Sequence, residues 1–511
     1  MKKIFKIMSN RVFVVAVALV LQLFWFVGLG VFLTDRYIYF NIVITAIAIV
    51  TSLWLVNQRI NPSYKLTWAI VILGMPILGI VLYFIMGKSR IAKKFCVKYE
   101  DVLAEQGEIL REDEEYRTAL AKIDRLVSGQ SVYLRDYADS PVYQNTKTEY
   151  FPVGEDWFAK YLEELDKAEH YIFMEYFILG EGYMWNAVLE ILTRKAAEGV
   201  DVRLIYDDFG CIISMPPRFY KSLQAKGIKC ASFNPVRPLL NIVLNNRDHR
   251  KITVIDGHTA FTGGVNLSDE YINQKVRFGH WKDSGIYLHG EAVWNFTVMF
   301  LRMWSVITGM RENFENFKPK KHHLETFETD GFVQPYGDNP MDNETVGENV
   351  YLNIISRAKD YVYIFTPYLV VDHETMQALC TCAKRGVDVR IVTPGIPDKK
   401  IVFLTTQSYY EELIESGVRI YQYTPGFIHS KSFVSDDDIS VVGTINLDYR
   451  SLYLHFECGV WMYQTESIAD VKDDFLKTLD YSEEMTLDFC RNRNLIIRGF
   501  QSILRLIAPM L

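Results

Sequence analysis

His249 and Lys251 open a stretch, HRKITVIDGHTAFTGGVNL at 249–267, whose punctuation returns at 429–447 as HSKSFVSDDDISVVGTINL. Both copies read H-x-K-x4-D-x6-G-x-x-N-L, a match with a chance on the order of 10⁻⁷ at any given start. Imidazole is the side chain that serves as nucleophile or proton carrier near neutrality, and a lysine ammonium is a cation for phosphate oxygens. Residues alternate along an extended strand, so His and Lys in H-x-K leave the same face about 7 Å apart. Two copies facing a shared cleft offer two imidazoles and two ammoniums around one phosphorus. One histidine would then attack and the other protonate a leaving alcohol, with Lys251, Lys431, Asn266 and Asn446 on the non-bridging oxygens. A lone strand histidine is ordinarily a satisfied core residue. Among ten histidines only His249 and His429 share the pattern, and that duplication argues for chemistry.

Asp256 and Asp436 complete the motif. An Asp five residues after Lys and near a Gly-containing turn is equally well explained by turn formation or by pairing with a lysine, so both read as structural supports of the catalytic set. Imidazoles with opposite tasks need carboxylates that fix the tautomer and stabilise the cation. Asp283 in HWKDSG and Glu457 in HFECGV lie at similar distances downstream of their histidines and are the candidate orienting groups.

These side chains must be carried by repeated elements. WFAKYLEELDKAEHYIFMEYFIL, from residue 157, reads as a helix running into a buried strand, and NVYLNIISRAKDYVYIFTPYLVV, from 349, repeats that order. GVDVRLI at 199–205 answers GVDVRIV at 386–392, and GIK at 227–229 answers GVR at 417–419. A Gly closing a helix before a β-branched run marks an α-to-β junction. The expected fold is therefore α/β, two tandem halves with a mixed sheet each, packed around one active site. The expected segments are a membrane anchor over 1–90, a helical connector over 91–142, a first half over 143–325, a second over 326–485 and an amphipathic C-terminal helix over 486–511.

The apolar runs 12–33, 38–56 and 66–86 are each long enough to cross a bilayer, giving two to three expected N-terminal transmembrane helices. The first outlasts a signal-peptide core and has no small-residue cleavage site after it. Lys2, Lys3, Lys6 and Arg11 favour a cytoplasmic N-terminus, whereas Lys88, Arg90, Lys93 and Lys94 favour a cytoplasmic start to the rest; three full spans cannot satisfy both. Near the C-terminus Arg491, Arg498 and Arg505 recur every seven residues beside Leu495, Ile496, Phe500 and Ile503. That pattern fits an interfacial helix on anionic lipid, or a terminal helix docked on the protein. A net charge of −7 argues against a nucleic-acid reader. Seven cysteines without a CxxC pair argue against a disulfide framework or a zinc site. Gly87-Lys88-Ser89 is no phosphate-binding loop, since Leu82 occupies the position where the motif needs Gly.

The doubled pattern resembles the phospholipase D superfamily, whose signature is this HKD motif. MEYFI, TPYLVVD, RGVDVRIVTPGIPD and GFIHSKSFVSDDDISVVGTINLDYRSLYLHFE, together with the apolar segment KLTWAIVILGMPILGIVLYFIMG, resemble its bacterial cardiolipin synthases over residues 60–511. One departure is that the first motif continues GGVN where the superfamily often has GS. The resemblance implies transfer of a phosphatidyl group from one phosphatidylglycerol to another through a phosphatidyl-histidine, with His249 as nucleophile and His429 as acid and then base. It implies a multi-pass protein of the bacterial plasma membrane that needs neither nucleotide, cofactor nor metal. The rival expectations are a phospholipase D-type hydrolase with water as acceptor, a phosphatidylserine synthase, a nuclease, or a non-enzymatic lipid-binding scaffold.

Overall fold

The computed structural model describes residues 11–31, 35–58, 60–87, 90–106, 109–111, 113–235, 246–322, 326–342 and 344–510. These fall into two compact units, one holding the N-terminal helices up to Lys94 and the residues from Ser502 on, the other running through Phe95–Pro235 and Asn246–Gln501.

In the first unit, helices occupy Arg11–Val31, Asp35–Val56, Pro62–Gly74 and Pro76–Leu82. Among the described residues one helix, Ile38–Val56, is long and apolar enough to cross a membrane; Val14–Phe26 and Pro76–Ile85 are apolar but shorter. The expected multi-pass anchor is thus not supported. The physical reason is clearest at 66–86, where Pro76 has no N–H to continue the ladder and breaks the run into 13- and 7-residue helices. The buried Gln22 accepts hydrogen bonds from the N–H groups of Ile77 and Leu78 at 3.0 and 3.1 Å, satisfying donors at the restart. Lys2, Lys3, Lys6 and Lys88, on which the orientation reading rests, lie outside the described residues, as do the side chains of Arg11, Arg90, Lys93 and Lys94.

The second unit carries the helices Arg90–Gln106 (its part from Phe95), Glu114–Ile123 and Arg125–Ala138, then two halves of one design. The first contributes strands β1 (Thr146–Phe151), β2 (Tyr171–Tyr176), β3 (Asp201–Asp207), β4 (Lys229–Phe233), β5 (Lys251–Ile255), β6 (Thr259–Gly263), β7 (His280–Lys282) and β8 (Gly285–Gly290). The second contributes β9 (Phe332–Asp338), β10 (Tyr361–Phe365), β11 (Leu369–Val370), β12 (Asp388–Pro394), β13 (Arg419–Tyr423), β14 (Gly426–Ile428), β15 (Ser432–Ser435), β16 (Ile439–Gly443), β17 (Leu447–Asp448), β18 (Glu457–Tyr463) and β19 (Ser482–Glu484). The sheet orders are β1-β8-β6-β5-β2-β3-β4 and β9-β18-β16-β15-β10-β12-β13-β19, identical apart from the extra edge strand. In each, the three strands fed by helices run parallel and the hairpin strands run antiparallel, the mixed sheet expected from the repeated junctions. Gly199 and Gly386 adopt φ of 97° and 95° at the matching junctions, a backbone region costly for any residue with a Cβ.

The halves share a core. The helix Val293–Thr308 is almost wholly buried and its Phe300 stacks on Phe173 of β2 at 4.7 Å. Its Asn295 donates to the carbonyls of Pro141 and Pro335 and accepts from Tyr143, so a buried amide is fully used between elements of both halves. Lys282 of β7 and Asp474 of the helix Ser467–Leu479 form a buried ion pair at 2.7 Å, and Tyr150 donates to the same carboxylate.

Candidate active site

Two short parallel pairings between the halves build the site. β7 pairs with β14, and the pairing extends one step as the His429 N–H donates to the Lys282 carbonyl at 2.7 Å. Asp248 bridges Phe456, with the His249 N–H donating to the Phe456 carbonyl at 2.9 Å. In each case the residue after the acceptor is a carboxylate, delivered next to a histidine of the other half. Nδ1 of His249 lies 2.9 Å from both oxygens of Glu457, and Nδ1 of His429 lies 2.7 Å from Oδ2 of Asp283. Both carboxylates thus lie against a histidine, and the pairing is crossed: each contacts the histidine of the opposite half.

The electrostatics follow from burial. Burial pulls Glu457 and Asp283 upward, yet the imidazoles against them outweigh this and hold both below the usual carboxylate range. Burial lowers His249 to about 3 and His429 to about 4, against the upward pull of those carboxylates. At neutral pH each ring is therefore neutral, donates Nδ1–H to an ionised carboxylate and keeps a lone pair on Nε2. Lys251 and Lys431, each 1% exposed, donate to the carbonyls of His249 and His429. Burial pushes them down to about 8 and about 7.

Asn266 accepts from the Ile178 N–H and donates to the Tyr271 hydroxyl. Asn446 donates to the Ser451 hydroxyl, and its Oδ1 is buried with no partner among the described residues. Asp256 and Asp436 are not brought to the imidazoles, which corrects their place in a catalytic set. Each lies seven positions along extended chain from its histidine, roughly 23 Å. Each accepts three backbone N–H groups instead: Glu169, His170 and Tyr171 for Asp256, and Lys359, Asp360 and Tyr361 for Asp436. Both sit at positive φ, 51° and 53°, in the turns that close the β5–β6 and β15–β16 hairpins, which is the turn reading of these residues.

Several neighbours escaped sequence reasoning. The His455 ring lies 5.6 Å from that of His249, with Nδ1 3.7 Å from Glu457. His249, His455 and Glu457 are close enough to share a metal ion, as are Glu348, Asp372 and Glu374 elsewhere. Phe177 packs against His249, while Tyr271, Trp281 and Phe427 surround His429. Thr444 donates its hydroxyl to Glu457 at 2.5 Å. Its counterpart in the first motif is Gly264, where a Cβ would stand 1.9 Å from Oδ1 of Asp283. The GGVN departure was the available signal: the first copy has no room for the hydroxyl the second one uses, and Asp283 accepts from the Ser284 N–H instead.

The model for "Cardiolipin synthase, PLD-like domain" matches residues 161–304 and 351–479, and that for "Phospholipase_D-nuclease N-terminal" matches 43–88. A Streptococcus mutans protein of uncharacterized function is 44% identical over 90% of this chain and 99% of its own length. The cardiolipin synthase of Halalkalibacterium halodurans is 32% identical over 92% of this chain and 94% of its own, and cardiolipin synthase 2 of Bacillus cereus 35% identical over 88% and 87%. Among solved structures, phosphatidylserine synthase of Haemophilus influenzae superposes with a TM-score of 0.56 at 16% identity, over 75% of this chain and 98% of its own, a likeness of fold alone.

Proposed function

We propose, from the premise that this chain belongs to the cardiolipin synthase family of the phospholipase D superfamily, that its reaction joins two phosphatidylglycerol molecules into cardiolipin and glycerol. The protein is a membrane-associated phosphatidyltransferase. His249 Nε2 attacks the donor phosphorus and the P–O bond to glycerol breaks; His429, neutral in the free enzyme, takes up a proton on Nε2 as the anionic phosphodiester enters beside it and gives that proton to the departing glycerol oxygen. The primary hydroxyl of the second lipid then gives its proton to His429 and attacks phosphorus, and the P–Nε2 bond breaks. Lys251 and Lys431, aided by Asn266 and Asn446, hold the non-bridging oxygens as charge builds. Asp283 and Glu457 keep Nδ1 protonated, and the lysines supply the charge that a metal would bring.

The observation that carries this reading is the crossed pairing, which ties both imidazoles to one interface between the halves. A lipid acceptor is favoured over water by the apolar helices. It is also favoured by the helix Leu495–Ile507, whose Leu495 and Ile496 are 80% and 79% exposed and rest on the lipid surface in this reading. Arg491, which ends the separate short helix Leu487–Arg491, and Arg498 pair with Glu411 and Glu415, so the arginine stripe is divided and the exposed apolar residues are what the helix Leu495–Ile507 offers a lipid surface.

The purified protein given phosphatidylglycerol in vesicles with EDTA is expected to release glycerol and form cardiolipin without nucleotide. His249→Ala and His429→Ala are each expected to lower turnover by at least about 10³-fold. Phosphatidic acid as the main product would point to the hydrolase, and robust activity in either variant would break the shared site.

A further inference from the structure

Arg247 stands two residues before His249 on extended backbone, held by the Phe456 N–H donating to the Arg247 carbonyl at 2.8 Å and by the His249 N–H donating to the Phe456 carbonyl. Alternation sends the Arg247 and His249 side chains to the same side, about 7 Å apart, while Asp248 turns away to meet Arg250. The Arg247 guanidinium lies 4.5 Å from the centre of the Phe209 ring, which orients it. The residue is 9% exposed, and its Nη1 has no hydrogen-bond partner among the described residues. Asp207 is 3.7 Å away, but its oxygens already accept from the N–H groups of Phe209, Gly210 and Asp248, and burial pushes it up to about 7. Arg450 adds positive charge nearby and Asp208 a weaker negative one. A buried guanidinium with so little compensation is costly unless an anion arrives to complete it.

We infer that Arg247 is the binding site for the phosphodiester of the acceptor lipid, a subsite that rests on the proposed function. An acceptor whose primary hydroxyl lies three carbons from its own phosphate places two phosphorus atoms roughly 7 Å apart once the new ester forms, by ordinary bond lengths. That matches the spacing of His249 and Arg247. The acceptor hydroxyl attacks the phosphorus on His249 Nε2, the P–N bond breaks, the proton passes to His429, and the second phosphate stays on Arg247. The matching position in the second motif is Phe427, packed against His429, so the cleft accepts its second anion at the His249 end. Water and free glycerol carry no phosphate and gain nothing from this contact.

The test compares two acceptors in one enzyme. Phosphatidylglycerol vesicles with radiolabelled glycerol report exchange of label into phosphatidylglycerol, which needs no acceptor phosphate, and cardiolipin formation, which does. Arg247→Gln is expected to lose cardiolipin formation roughly tenfold or more beyond any loss of glycerol exchange, and Arg247→Lys to recover part of it. Equal losses of both reactions, or no loss of either, overturn the subsite alone. Absence of both products from the unmodified protein overturns the proposed function, and the subsite with it.

Discussion

At the scale of the residue, two lysines tuned by burial decide the pH behaviour. Lys431 sits at about 7 and Lys251 at about 8, both below the ordinary lysine value, because their ammoniums have left water. A depressed lysine loses its charge as pH rises through that value, so the cation proposed to hold phosphate is present below it and lost above. The Michaelis constant for phosphatidylglycerol is expected to climb above pH 7 to 8. Lys431→Arg, which cannot deprotonate, is expected to move that limb to higher pH. A pH–KM profile checks both, and a flat alkaline side would show that these ammoniums do not bind substrate. His249, lowered to about 3, leaves the proposed nucleophile unprotonated down to strongly acidic pH, and His429, lowered to about 4, is likewise neutral in the free enzyme above that value.

At the scale of the element, the third letter of each motif serves the sheet. The carboxylates of Asp256 and Asp436 gather the three N–H groups that lead into β2 and β10, the strands beside each histidine-bearing segment. Charge-assisted bonds of this kind are worth about 1.5–3 kcal/mol each, and removing the acceptor strands three donors. Asp256→Ala is therefore expected to lower the thermal unfolding midpoint by several degrees and to keep a folded fraction that still turns over. Calorimetry beside active-site titration separates the two effects. Loss of turnover at unchanged stability would return Asp256 to the chemistry. The sequence offered turn formation, lysine pairing and catalysis for this position, and it could not rank them because the N–H groups that claim the carboxylate lie 85 to 87 residues earlier.

At the scale of the whole molecule, the crossed carboxylates make neither half complete alone. Each histidine is oriented by a partner 208 or 146 residues distant in the chain. A donor with a p-nitrophenol leaving group needs no protonation as it departs, so it isolates the nucleophile from the acid. With it, Asp283→Asn is expected to behave like His429→Ala and give a burst of nitrophenol. Glu457→Gln is expected to behave like His249→Ala, with the burst slowed roughly 10²-fold or more. A burst kept by Glu457→Gln and lost by Asp283→Asn would mean that the carboxylates act within their own halves.

What the amino-acid sequence determined by itself was whatever is local or periodic: the duplicated motif, the helix-to-strand junctions closed by glycine, the mixed sheet in each half and the candidate histidines, lysines and carboxylates. These were legible because alternation, helix caps and repeated spacing act over a few residues. Tertiary structure alone decided which carboxylate meets which histidine, that the motif aspartates cap a sheet, and that Arg247 is buried beside His249. Each of those depends on chain segments brought together by burial of a common core, and linear spacing carries no record of which distant backbone will pair.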